Sequence, residues 1–347
     1  MGTTGTDPAR RRMLGALLAA GTCAVAPSLR AAAPRGIDVV GAPSNLGLRP
    51  LRPGHLPGAF RAPAALRARG VVERLGARDR GDVVAPAYDP AVDAATGYRN
   101  GGGLIAYTPR LAERIGASLD DGRFVLVLGG DCSVLLGGAL ALRRRGRHGL
   151  LFVDGHSDFY FPRVPRPLTA AGMDLALATG HGPDALVGID GGKPYFAEGD
   201  TVAYAYRDHG TPAEVETERF ERAAFLRLPI EHLRANGVAA TMGEALLRLV
   251  RDTLRGFWIH VDVDVLDPAV MAAVDSPDPG GLRLAELEDS LALALASPRA
   301  LGLELTIFDP DLDADGRLAE RLVGLLERAF ARAGRFGVAL PAGGTAR

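Results

Sequence analysis

Cysteine is scarce in this chain: Cys23 and Cys132 are the two among 347 residues. Removal of the first thirty-odd residues would leave Cys132 alone, which excludes an intramolecular disulfide and leaves stability to a packed core. An excess of charge of one sign is also missing. Forty basic against forty-one acidic residues give a formal net charge of −1, with no field to gather nucleic acid or a membrane surface. The expected partner is therefore a small molecule. The apolar stretch from Leu14 to Pro27 is too short to span a bilayer as a resident helix. No Ser/Gly-rich or charge-run linker divides the middle and no internal repeat occurs, so one domain over residues 34–347 is expected. What is present suits it: 47% hydrophobic and 23% charged residues are enough to bury a sizeable core.

Residues 1–33 are of a different kind. Arg10-Arg11-Arg12 precedes the apolar run, and Ala31-Ala32-Ala33 follows it, the order of a secretory signal. The arginine pair resembles a twin-arginine export signal, a pathway that carries folded proteins. The expectation is export, to the periplasm. A cationic N-terminus on a cytoplasmic enzyme is the other reading.

Beyond residue 34, short apolar runs alternate with segments of helical period, the pattern of a mostly parallel sheet covered by helices on both faces. Strands are predicted over Ile37–Val40, Asp82–Ala85, Phe124–Leu128, Leu150–Val153, Val202–Tyr206, Phe257–Val261 and Leu301–Leu305. Helices are predicted over Leu104–Leu119, Val134–Arg145, Thr241–Leu254, Leu284–Ala296 and Gly316–Ala331, with Pro- and Gly-rich loops at Phe159–Gly172 and Asp184–Asp200.

Three predicted strands run directly into turns rich in potential ligands: Gly129-Gly130-Asp131-Cys132-Ser133, Asp154-Gly155-His156-Ser157-Asp158, and Asp262-Val263-Asp264-Val265-Leu266-Asp267-Pro268. In a parallel sheet the carboxyl ends of the strands share one edge, so the turns should meet. Asp154, His156 and Asp158 alternate, and so do Asp262 and Asp264, so each set leaves one face of extended chain. Carboxylates gathered in a buried cleft would repel and raise one another's pKa unless a cation compensated them. Oxygen-rich ligation with one imidazole suits Mn²⁺ or a similar hard ion, and this many carboxylates can hold two. Taken singly, each turn could merely cap a helix; three together point to metal.

The three motifs resemble those of the arginase/agmatinase (ureohydrolase) family, usually Gly-Gly-Asp-His-Ser, Asp-Ala-His-x-Asp and Asp-x-Asp-x-x-Asp-Pro. Gly41-Ala42-Pro43 and Pro279-Gly280-Gly281-Leu282 extend the resemblance over roughly residues 37–335. It implies a three-layer α/β/α sandwich on a mostly parallel sheet of about eight strands, a homo-oligomer (trimer or hexamer) and two Mn²⁺ ions. It further implies Asp154 and Asp262 as bridging ligands, Asp158 completing one site and acting as base, and His156 and Asp264 completing the other. A metal-bound hydroxide would then attack a non-peptide C–N centre. Asp131 and Asp267 are expected to organise their turns.

Three positions depart from that pattern. Cys132 replaces a histidine ligand; as a thiolate it would soften its site towards Zn²⁺ or Fe²⁺, and as a buried thiol it would ligate nothing. Ala171 replaces a proton-relaying histidine, a task His181 could take over, although a surface loop position suits His181 as well. Ile307 replaces a glutamate that binds guanidinium, and Glu304, at an earlier acidic position, does not restore it. His260 reads as a packed strand residue, and Arg207 as a residue that could position a loop. The expected function is metal-dependent hydrolysis of an amidine or guanidine other than arginine. The alternative is a non-catalytic metal-binding descendant of the fold, with a zinc deacylase a distant third.

Overall fold

The central strands are almost entirely buried runs that lack polar alternation, as a parallel sheet covered on both faces requires. In the computed structural model, which describes residues 35–340 except 51, 53 and 208–213, these runs form one eight-stranded, all-parallel sheet. The strands are β1 (Ile37–Ala42), β2 (Arg78–Asp82), β3 (Phe124–Gly129), β4 (Gly149–Val153), β5 (Thr201–Tyr204), β6 (Leu226–Leu228), β7 (Phe257–Asp262) and β8 (Ala300–Thr306). Their order is β2-β1-β3-β8-β7-β4-β5-β6. The expected leader lies outside the described residues. Among these, no helix is long and apolar enough to cross a membrane.

Two apolar layers sandwich the sheet. On one face Val125, Val127, Leu150 and Phe152 pack against the helices Gly101–Asp120 and Leu135–Arg143; on the other Leu126, Leu128, Ile259 and Leu303 meet Val238–Leu249, Leu284–Ala296 and Arg317–Ala333. Gly101–Asp120 buries Leu104, Tyr107, Leu111 and Ile115, spaced three or four apart to form one stripe. Leu284–Ala296 starts where Glu286 Oε2 accepts from the Arg283 amide at 2.8 Å. Arg317–Ala333 stops at Gly334, at φ 69°.

The sheet order positions the site. The chain crosses from β3 over to β4, and β7 and β8 later fill the gap, so the C-termini of β3, β8, β7 and β4 lie side by side at a topological switch point. Two expectations shift. The second strand is Arg78–Asp82 rather than Asp82–Ala85, and β6 and the short helices Ala62–Ala68 and Ile230–Asn236 were not foreseen. Both strands sit on sheet edges, where a short or charged segment is favoured over an apolar one.

Candidate metal centre

The turn after β3 is held from the side. Asp131 accepts hydrogen bonds from the Gly47 amide (3.0 Å), the Ser133 amide (2.8 Å) and Ser44 Oγ (2.6 Å), locking it to the loop after β1. A Cβ on Gly130 would lie 1.9 Å from the Ser44 carbonyl oxygen, so only glycine permits that approach. The adjoining Cys132 is buried, its Sγ donating to Asp262 Oδ2 at 2.8 Å and lying 3.3 Å from Thr306 Oγ1.

The turns after β4 and β7 interlock. Asp154 Oδ1 accepts from the His156 amide at 2.6 Å, Asp262 Oδ1 from the Asp264 amide at 2.8 Å, and Asp264 Oδ1 from the Gly155 amide at 3.2 Å. His156 Nδ1 lies 3.0 Å from Asp264 Oδ2, and its Nε2 3.2 Å from Asp278 Oδ2. Asp158 sits at φ 42°, a left-handed turn that ends the motif. Arg207 fastens the assembly, donating from Nη2 to the Asp264 carbonyl (2.8 Å) and the Asp278 carbonyl (2.7 Å). A Cβ at Gly155 would meet Arg207 Nη1 at 2.4 Å, so the glycine leaves room for that clamp.

Five of the six sequence-derived ligand candidates, Cys132, Asp154, His156, Asp262 and Asp264, bring ligand atoms together, and the sixth, Asp158, lines the cavity beside them without joining any of the groups. Three groups bring ligand atoms within 4.8 Å of one another: Cys132, Asp154 and Asp262; Asp154, His156 and Asp264; and Cys132, Asp174 and His260. A cavity of about 240 Å³ opens over them, lined also by Tyr160, Ala171, Gly172, Asp275, Ser276 and Ile307. His181 does not line it. Its Nε2 pairs with Glu198 Oε1 at 2.7 Å and its ring packs edge-on against Phe159, so the structure does not bring it to the cage.

The arginase family profile matches residues 35–330. The chain belongs to the arginase family. It is 28% identical over 306 residues to an arginase of Staphylococcus aureus (strain MRSA252), covering 85% of this chain and 97% of that protein. Among solved structures, the arginase from Bacillus caldovelox superposes with a TM-score of 0.75 at 26% identity, covering 85% of this chain and 98% of that one. Proclavaminate amidino hydrolase from Streptomyces clavuligerus shares the fold, with a TM-score of 0.64 at 21% identity over 86% and 94% of the two chains.

The electrostatics of this arginase-family site call for cations. Burial pushes the Asp154, Asp158 and Asp262 carboxyls above their ordinary range, and their mutual repulsion adds to it. Burial acts on Asp264 in the same sense, but the neighbouring His156 outweighs it and holds that carboxyl low. Burial alone would lower His156, yet Asp264 and Asp154 raise it. Cys132 is pushed up by burial and by Asp262, which keeps it a thiol unless a cation draws off its proton. Asp154 Oδ2, Asp174 Oδ2, His260 Nε2 and Glu304 Oε2 are buried without a hydrogen-bond partner. Unsatisfied acceptors around a carboxylate pocket fit bound cations.

Asp174, His260, Glu304 and Asp275 were not singled out as site residues from sequence. His260 was legible in one respect: it lies two residues before Asp262 on β7 and so shares its face. Glu304 pairs with it in register across to β8. Asp174 lies just beyond the predicted loop Phe159–Gly172, in a stretch assigned to no element, and no spacing marks it.

Proposed function

We propose that this chain is a metal-dependent hydrolase of a non-peptide C–N bond in a guanidino, amidino or amide compound bearing a negatively charged group, and that arginine is a poor substrate. The observation that carries the reading is the cage beneath a cavity whose wall holds Ile307 where a carboxylate would grip a guanidinium. Asp154, His156, Asp262 and Asp264 would hold one divalent ion, Mn²⁺ by their hardness. Cys132 belongs to the two other groups, with Asp154 and Asp262 and with Asp174 and His260, and at either place its sulfur would bias a second ion towards Zn²⁺ or Fe²⁺. When bound, such ions activate water near neutral pH for attack on an sp² carbon.

The protein's own groups supply the rest. Asp158, as a carboxylate, accepts the proton of the attacking water. Asp275 lines the same cavity, and burial followed by repulsion from Asp264 pushes its carboxyl up to about 6. It can therefore hold a proton for the leaving amine, where Ala171 offers none. A second cavity of about 450 Å³ shares Tyr160, Ala171, Gly172, Asp275 and Ser276 with the first and is lined by Arg49, Arg99 and Arg166. The three arginines that line this second cavity favour a substrate tail with a carboxylate or similar anion.

The test is a screen of guanidino, amidino and amide compounds, with and without an acidic tail, on metal-loaded protein, reading urea or ammonia release. Turnover of an acidic member, lost in Asp158→Asn, is expected. Robust manganese-activated urea release from arginine would overturn the substrate reading. Stoichiometric metal with no turnover on any compound would favour a non-catalytic metal-binding protein.

A further inference from the structure

Beneath the interlocked turns, one row further into the sheet, Phe152, His260 and Glu304 stand in register on β4, β7 and β8. His260 and Glu304 are fully buried, as is Asp174. The imidazole stacks on the Phe152 ring at 4.7 Å and 7°. Its Nδ1 lies 2.8 Å from Glu304 Oε1. A carboxylate accepting from Nδ1–H places the lone pair of a neutral ring on Nε2, the arrangement that orients histidine ligands of metals.

That Nε2 makes no hydrogen bond. It faces Asp174 Oδ2 at 3.5 Å and Asp154 Oδ2 at 3.9 Å, two carboxylate oxygens that also have no hydrogen-bond partner. These separations are long for a hydrogen bond. They lie close to the roughly 3.4 Å between ligand atoms around a tetrahedral ion with bonds near 2.1 Å. Cys132 Sγ closes the group, within 4.8 Å of the Asp174 and His260 ligand atoms.

We infer that a divalent ion is held by Cys132, His260 and Asp174, with Asp154 shared with the harder ion above it, so that the imidazole absent from the turn after β3 is supplied from inside β7. The inference rests on the reading that this site holds divalent ions. Sulfur and imidazole ligands make the inner position selective for Zn²⁺, Fe²⁺ or Co²⁺, whereas Asp154, His156, Asp262 and Asp264 favour Mn²⁺. The two ions would therefore differ in kind. Glu304 is a positioning residue here, acting through the His260 ring.

The test strips the full chain of metal and titrates it with Co²⁺ alone, reading bound ions per chain and the thiolate-to-cobalt charge-transfer band. Wild type is expected to bind two ions and show the band. Cys132→Ser should lose the band, and His260→Gln and Asp174→Asn should lose one ion. Glu304→Gln keeps the side-chain size and guards against misfolding in the others; it should weaken the inner ion about ten- to a hundredfold. Unchanged binding and band in folded His260→Gln and Glu304→Gln would overturn the inference, as would a wild-type protein saturated with cobalt that shows no band. Hydrolysis is not read, so a failure of the proposed activity would leave this result standing.

Discussion

Ile307 shows what one residue can decide. It is β-branched yet sits at φ 71°, in the left-handed region where such a residue costs about 1–3 kcal/mol. The surroundings enforce it: the Ile307 amide donates to the Gly130 carbonyl at 2.7 Å and the Asp309 amide to the Ala273 carbonyl at 2.8 Å. The side chain is buried against the cavity over the cage. Ile307→Glu removes the β-branch and puts a carboxylate into that wall. Arginine affinity, measured as Kd by calorimetry with both metals loaded, should improve tenfold or more, in line with about 1.5–3 kcal/mol for a hydrogen bond to a charged group. No gain would place the guanidinium elsewhere in the cavity. The departures at Cys132, Ala171 and Ile307 were all legible in the sequence, because each interrupts a motif whose spacing is otherwise intact. His181 was not resolved there. Its pairing with Glu198 joins residues 17 apart in chain that no periodicity relates.

At the scale of elements, legibility followed burial. The predicted β3, β4, β7 and β8 lie within a residue of those observed, because buried parallel strands read as apolar runs. The strand β2, Arg-Asp-Arg-Gly-Asp, carries no such run. It is held to the sheet edge by charge: the buried Asp38 of β1 accepts from Arg78 at 2.7 and 2.9 Å, from Ser118 Oγ at 2.7 Å, and from Arg123. Burial raises the Asp38 carboxyl, but the hydrogen bonds from Arg78, Ser118 and Arg123 outweigh it and hold it below its ordinary value. Asp38→Asn should cost about 1–3 kcal/mol by urea denaturation, because its arginine partners are half-exposed and stay solvated when left unpaired. A depressed carboxylate stabilises the fold above its unfolded pKa and loses that contribution as pH falls through the folded value. The gap between wild type and Asp38→Asn should therefore close in acid. A gap unchanged at pH 2 would show that shape rather than charge holds the edge.

At the scale of the whole molecule, the order in which eight strands lie side by side could not be read from the sequence, since any permutation of parallel strands has the same apolar runs. The meeting of the three turns was still legible, because the parallel arrangement alone puts every strand end on one edge. That architecture has a thermodynamic consequence. It gathers Asp154 and Asp158 after β4 and Asp262 at the end of β7, together with Asp174 from the helix Asp174–Ala178, and burial, then mutual repulsion, raises all four carboxyls. A raised carboxyl means that the folded chain without metal binds more protons than the unfolded one, so its stability must fall as pH rises from about 3.9 through the raised values. Divalent ions do at neutral pH what protons do in acid. Chelation at pH 7 should then lower the thermal midpoint, since ligand at a hundred times its Kd contributes about 2.7 kcal/mol. The same treatment at pH 5 should lower it less, as protons replace the ions and metal affinity declines. Equal losses at the two pH values would mean that the carboxylates tolerate their own repulsion, and that the buried cluster is stabilised by its fixed hydrogen bonds instead of by cations.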